Sequence, residues 1–296
     1  MKKLLIVNAD DYGQATGINV GIIESHLRGI VTSTSIMAGG HALNDGLARL
    51  KDAPNLSLGC HLVLIGEKPV AKASQIPSLL DSKGQFPQTL TDFMWLMTVR
   101  QVKYLDIVTE LRAQLDKLLN LGLTISHCDS HKHSHAHPKV LDAVIQVAEE
   151  YKINYVRNPF ERSKVKQLQQ MFGKYPSLDI SKKYLLSRML DYYHSIFLKR
   201  MSKTNIRYPD YFQGFIATGS LTPELMPKLL AQISDGVSEL MCHPARLDED
   251  LNRTQTRLKQ SREGELAAVT SEQAFSAIKS ESIELTSFRQ LANEIP

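Results

Sequence analysis

A distorted (β/α) barrel of mainly parallel strands, in the α/β class, is the fold this 296-residue sequence predicts. Three observations point to it. Short apolar, β-branched runs alternate with helix-period segments along most of the chain, which is the rhythm of parallel strands joined by helical crossovers. Seven or eight such runs occur, which favours barrel-like closure over a small open sheet. Aspartate or histidine stands at the ends of four of the runs, where barrels of this type place their chemistry.

Taken in order, Leu4–Val7 reads as a first strand, and Thr16 as the cap of a helix reaching about Arg28, with Gly29 just past its end. Val31–Met37 is a second strand, His41–Lys51 a second helix and Leu56–Leu64 a third strand. Tyr104–Leu121 has strong helical periodicity. Thr124–His133 reads as a strand, and Pro138 suits the first turn of a helix running to about Tyr151. Ile153–Arg157, Phe212–Thr218, Val237–Met241 and Ile283–Leu285 are further strands, with helices at Pro223–Ile233 and Ser271–Ser280. One domain over residues 1–296 is expected, with insertions at about 65–100 and 161–207.

Hydrophobic residues make up 43% and charged residues 22%, ordinary for a soluble globular protein. The net charge of +4 is too small for a dedicated nucleic-acid binder. The N-terminal apolar run stops at Val7 and two aspartates follow, so it reads as a buried strand and not a signal peptide. No 18-residue apolar stretch occurs. Three cysteines without disulfide spacing suit a reduced, cytoplasmic setting. The 161–207 stretch carries eleven Lys/Arg against three acids, with apolar residues from Leu185 to Met201 at helical spacing. It reads either as a helix packed on the barrel or on a second subunit of a homodimer, or, through 182–203, as a surface that meets a membrane or a lipid-linked substrate.

The segment from 127 to 137 holds five of the ten histidines. Neutral imidazole is the commonest protein ligand of transition metals; a metal-storage tract or an engineered tag is the plainer reading, but a tag would sit at a terminus and this segment lies between a strand and a helix. His127, Asp129, His131, His133, His135 and His137 would share one face of a strand. At about 3.3 Å per residue that face spans roughly 33 Å, so one or two of them can bind a single ion and the rest must do something else. Asn8-Ala9-Asp10-Asp11-Tyr12-Gly13 closes the first strand. Paired carboxylates can divide labour between metal binding and proton transfer, and both reach one site only if the chain turns there, which Gly13 permits. His61 and His243 each interrupt or end an apolar run. One carboxylate with two imidazoles makes a triad with open positions for Lewis-acid chemistry. Cys60, Cys128 and Cys242 each neighbour a histidine, so strand alternation turns them toward the core as small buried residues; a Cys–His nucleophile pair is the rival reading. His26, His41 and His194 have no assigned role.

These motifs, in this order, resemble the YdjC-like carbohydrate deacetylase family. The matching pieces are Ile6–Gly13, Val31–Thr34, Gly59–Leu62, Asp129–His135, Val156–Pro159 and Glu239–Pro244. The resemblance implies a distorted β/α barrel and hydrolysis of an N-acetyl group on an N-acetylglucosamine-type sugar, from a chitooligosaccharide or a lipid-linked sugar such as a hopanoid glycolipid. It implies Asp11, His61 and His131 as metal ligands, Asp10 as general base and His243 as general acid. Asp129, His133 and His135 would support or face the site, with Asp129 and His133 orienting His131 or its neighbours, and Arg157 would hold a substrate group. The family points to magnesium, whereas mixed carboxylate–histidine ligation also suits zinc, cobalt or manganese. Pro244-Ala245 stands where the family usually has Pro-Gly, as in the hopanoid-linked branch, and His137 has no family role. A metal-dependent phosphoesterase on a similar barrel, or a non-catalytic metal or sugar binder, are the alternatives.

Overall fold

The computed structural model describes residues 2–99 and 101–293. Seven parallel strands form its sheet: β1 (Lys3–Tyr12), β2 (Ser33–Ile36), β3 (Ser57–Leu62), β4 (Cys128–Ser130), β5 (Tyr211–Gln213), β6 (Gly236–Cys242) and β7 (Ile283–Thr286). The order is β4-β3-β2-β1-β6-β5, and β7 pairs with the start of β1. Beyond β4 the curl continues through two isolated parallel bridges, Cys128 to Val156 and Tyr155 to Arg207. The result is a distorted barrel with helices around it. Leu5, Ile6 and Val7 are wholly buried, as expected of strands covered on both faces.

Helices fill the crossovers: α1 (Thr16–Arg28), α2 (Leu43–Arg49), α3 (Leu90–Val99), α4 (Tyr104–Asn120) and α5 (Pro138–Glu150) in the first half. The second half holds α6 (Val165–Phe172), α7 (Leu178–Met189), α8 (Asp191–Met201), α9 (Met226–Leu230), α10 (Glu249–Arg253), α11 (Gln260–Val269), α12 (Glu272–Ser280) and α13 (Phe288–Asn293). In α4, Ile107, Leu111, Leu115 and Leu118 form one fully buried stripe. Each such side chain stabilises the fold by about 1.5–3 kcal/mol relative to exposure. Polar residues of the same helix anchor the chain that leaves β3. Glu110 accepts from the Val70 and Ala71 N–H groups, both at 2.9 Å, and Gln114 brackets Val63 through its N–H and its carbonyl. The start of the insertion after β3 is thereby tied to α4.

Several sequence expectations are corrected. The strand expected over Thr124–His133 is only Cys128–Ser130, because Lys132 and His133 adopt left-handed backbone (φ 53° and 52°) and wind the chain into a tight turn. Ile153–Arg157 is reduced to its two bridges, and Phe212–Thr218 to three residues, Tyr211–Gln213. Thr16 does not cap α1 with its side chain; instead its backbone N–H donates to Asp250 Oδ2 at 2.8 Å, a partner 234 residues away. The helix-period run around 185–201 breaks at Leu190 into α7 and α8. Phe197 and Met201 pack inward, while Leu185 and Met189 are more than half exposed. Among the described residues no helix is long and apolar enough to cross a membrane.

Candidate metal and acyl-transfer site

The strands deliver their polar residues to one end because all of them run parallel. Asp10 and Asp11 stand at the end of β1, His61 near the end of β3, Asp129 on β4 with His131 just after it, and His243 directly after β6. Register completes the placement: His61 lies beside Asp129, and Ala9 beside Cys242, which puts Asp10 next to the start of the His243 segment.

Neighbouring residues on a regular strand point to opposite faces, yet Asp10 and Asp11 both serve this end. A bulge makes that feasible. Ala9 pairs with Thr34 but Tyr12 with Ile36, so β1 carries one residue more than β2, and Asp11 sits in left-handed backbone at φ 73°. Gly13, at φ 90°, continues the turn.

Asp11, His61 and His131 converge. Asp11 Oδ1 lies 3.1 Å from His131 Nδ1 and 3.4 Å from His61 Nε2, and the two ring nitrogens are 3.3 Å apart. Two ligands bound about 2.1 Å from one ion, at angles between octahedral and tetrahedral, lie about 3.0–3.4 Å apart. The triangle has that size. His61 Nδ1 contacts Asp129 Oδ1 at 2.8 Å, which leaves Nε2 as the nitrogen facing the cluster; this carboxylate–imidazole pairing is the usual support of a metal-bound histidine. The cluster draws positive charge. Burial works against an imidazolium at His61, but Asp129 and Asp11 outweigh it and pull its pKa up to about 10. Burial likewise opposes a charged Asp11, yet Arg262 and the two histidines hold its carboxyl well below the usual range.

Asp10 is held differently. Arg157 grips it with two bonds of 2.7 Å, Nη1 to Oδ2 and Nη2 to Oδ1, and Asn8 Nδ2 donates to Oδ1 at 2.9 Å. Arg157 also binds Glu239 Oε1 at 2.7 Å and Asp129 Oδ2 at 2.8 Å, and has no exposed surface. Arg157, expected to hold a substrate group, is buried among three acids, and its effect on the site runs through Asp10 and Asp129. Burial pushes the Glu239 carboxyl up to about 7 even with Arg157 opposing.

The remaining histidines separate by role. Asp129 holds His61 rather than His131, and His133 does not orient His131 at all. The left-handed turn carries the His133 ring away to edge-on contacts with Phe212 and Phe215, at 5.5 and 5.6 Å between centroids. His135 is fully buried, bonded to Ser130 Oγ and to the Arg157 carbonyl, and burial pushes its pKa down to about 4. His127 lies behind Asp129, with Nε2 3.3 Å from the Ser35 hydroxyl and its ring stacked on Phe288 at 3.8 Å between centroids. His137 caps α5, accepting from Lys139 N–H. Cys60, Cys128 and Cys242 are buried, and burial pushes their thiols up.

Three contributors were not legible in sequence. Ser35 bonds Asn8 and Asp129, both at 2.8 Å. Arg262 Nη2 reaches Asp11 Oδ2 at 2.6 Å, and Glu265 Oε2 lies 3.6 Å from His243 Nδ1. A charged residue on the buried face of an amphipathic helix was the available signal for the last two, but α11 reads as a mixed helix with no visible target. Beside the turn, a cavity of about 150 Å³ has a mainly apolar lining that includes Leu90, Phe93, Met94 and Leu186, with Lys132 and His133 among its polar members.

A bulged β1 ending in two carboxylates, with imidazoles from β3 and the turn after β4, defines a class of α/β barrels whose strand ends gather side chains that could hold a metal ion. Within that class, a family model described as YdjC-like protein matches residues 4–280, and the chain belongs to the YdjC-like family. A carbohydrate deacetylase of Brevibacillus brevis is 32% identical over 288 residues, covering 97% of this chain and 99% of that one. One from Geobacillus stearothermophilus is 31% identical, with 98% of each chain covered. A crystal structure from Enterococcus faecalis V583, provisionally described as a cellobiose-phosphate cleavage protein, superposes with a TM-score of 0.79 at 26% identity, covering 98% of this chain and 99% of that one.

Proposed function

We propose that the protein is a metal-dependent carbohydrate N-deacetylase that releases acetate from an N-acetylated amino sugar. The observation that carries this reading is the triangle of Asp11, His61 and His131 donor atoms with Asp129 behind His61, set beside an Arg-held second carboxylate. The donor set of one carboxylate and two imidazoles fits zinc, cobalt or manganese, and magnesium is the ion suggested by the family resemblance. A divalent cation held there supplies Lewis acidity toward an acyl oxygen and lowers the pKa of a water.

The chain's own residues do the proton work. Asp10, fixed by Arg157 and Asn8, takes a proton from the attacking water as oxygen bonds to the acetyl carbon. His243 delivers a proton to the amide nitrogen while the C–N bond breaks, because an amide anion is too basic to depart unprotonated. Acetate and a free amine result. Asp129 orients His61, His135 ties the turn to the Arg157 backbone, and Arg157 keeps Asp10 aimed at the cluster.

The apolar cavity beside the turn favours a substrate whose sugar carries an apolar group over a plain oligosaccharide. Sugar hydroxyls placed against Leu90, Phe93 and Leu186 would lose hydrogen bonds to water without replacement, at a cost of about 1–3 kcal/mol each. The test is acetate release from N-acetylglucosamine oligomers and from long-chain alkyl glycosides of N-acetylglucosamine, before and after chelation and metal return. Metal-restored acetate release supports deacetylation, and higher kcat/KM for the alkyl glycosides supports the apolar subsite. Phosphate release from sugar phosphates without acetate release points to a phosphoesterase. No turnover in any metal form reduces the protein to a binder.

A further inference from the structure

Helix α11 turns two buried charges toward the site. Arg262 and Glu265 are each 1% exposed and lie three residues apart, on one helix face. Arg262 meets Asp11, whereas Glu265 meets the segment after β6. Its Oε2 accepts from the His243 backbone N–H at 2.6 Å and lies 3.6 Å from His243 Nδ1, and its Oε1 accepts from Gly219 N–H at 2.8 Å. His243 Nδ1 is buried with no hydrogen-bond partner.

We infer that Glu265 is a positioning residue for His243: its carboxylate takes the Nδ1–H of the ring and so commits Nε2 to proton delivery. This rests on the reading of His243 as the general acid. The carboxylate cannot move to another partner, because two backbone N–H groups from separate segments pin both of its oxygens. The ring is the mobile member, and a small rotation turns 3.6 Å into a hydrogen bond; catalytic contacts of this kind commonly tighten only when substrate is bound. Two titratable side chains have His243 as an electrostatic neighbour, Glu265 and His133. Of the two, only Glu265 is anionic.

A purely structural role, stapling Gly219 and His243 through their N–H groups, would need two acceptors but no charge. Glu265→Gln keeps one acceptor and removes the charge, so loss of one staple shows in the melting temperature and loss of the charge in the pH profile. Its expected effects are a kcat lower by about tenfold or more with KM little changed, and an alkaline limb of the kcat/KM profile displaced toward acid by about one pH unit or more. Wild-type kcat and pH profile with only a lower melting temperature would overturn the inference. His243→Asn separates the two layers: full activity in that variant removes His243 as acid, whereas an inactive His243→Asn beside an unaltered Glu265→Gln removes Glu265 alone. If Glu265→Gln does not fold, ¹⁵N ring shifts of His243 in the wild-type protein decide the matter. A protonated Nδ1 in the neutral ring supports the inference, and a protonated Nε2 overturns it.

Discussion

Replacing Arg157 by Met tests the buried charge network more sharply than any other single change. The guanidinium has no exposed surface and bonds three carboxylates, Asp10, Asp129 and Glu239, at 2.7–2.8 Å. Removing one partner of a buried pair costs about 3–5 kcal/mol because the other charge is left uncompensated. That is a large share of the roughly 5–15 kcal/mol that holds a native protein together. At about 2 °C per kcal/mol for a chain of this length, the melting temperature should fall by about 6–10 °C. The loss should also depend on pH. Without Arg157 nothing of comparable strength opposes burial at Glu239, whose pKa already stands at about 7 with Arg157 in place. Stability from such groups is fully present below the unfolded pKa, near 4, and is lost as pH rises through the folded value. Thermal melts by circular dichroism at about pH 5.5 and about pH 8 should therefore show the larger deficit at the higher pH. A variant melting within about 2 °C of wild type at both pH values would refute the reasoning, since it would mean that the three acids are not charged, or not buried, together.

Asp10→Asn should retain bound metal, measured by elemental analysis, while kcat falls by about 10²–10⁴-fold; loss of the metal would move Asp10 into the ligand set. Gly59→Ala places a Cβ about 2.3 Å from the His127 ring, which is stacked on Phe288, and should cost about 1–3 kcal/mol in urea unfolding; an unchanged midpoint would show that the ring can move. Glu161 is buried, accepts from the Ile216 N–H at 2.9 Å, and burial pushes its pKa up to about 7. Its raised folded-state pKa means that stability from it is present below about 4.5 and lost as pH rises through about 7. Glu161→Gln should therefore flatten the stability profile between about pH 5 and about pH 8, and a profile parallel to wild type would contradict this.

The alternation of apolar runs with helical periods was enough to give a parallel α/β barrel, because a strand covered on both faces and a helix covered on one leave different spacings in the chain. Helix limits such as Tyr104–Asn120 and Pro138–Glu150 were legible to within a residue, since proline, periodicity and polarity act over short distances. The histidine segment announced itself by density alone. Its shape did not: nothing in the order of residues 131–135 says that Lys132 and His133 take left-handed backbone, and parity reasoning fails as soon as the strand stops at Ser130. Arg157 shows the same limit, since a conspicuous arginine near a site looks equally suited to substrate or to buried acids.

What the sequence determined by itself, then, was the class of fold and the residue types available at the strand ends. Tertiary structure alone decided which of them meet. A one-residue bulge turns Asp11 toward His61 and His131, Arg157 is absorbed by three acids from three strands, and α11 brings Arg262 back to Asp11, 251 residues upstream, with Glu265 beside it at His243. Local signals report on neighbours within about one helical turn or one strand pair, whereas these contacts depend on where distant segments cross.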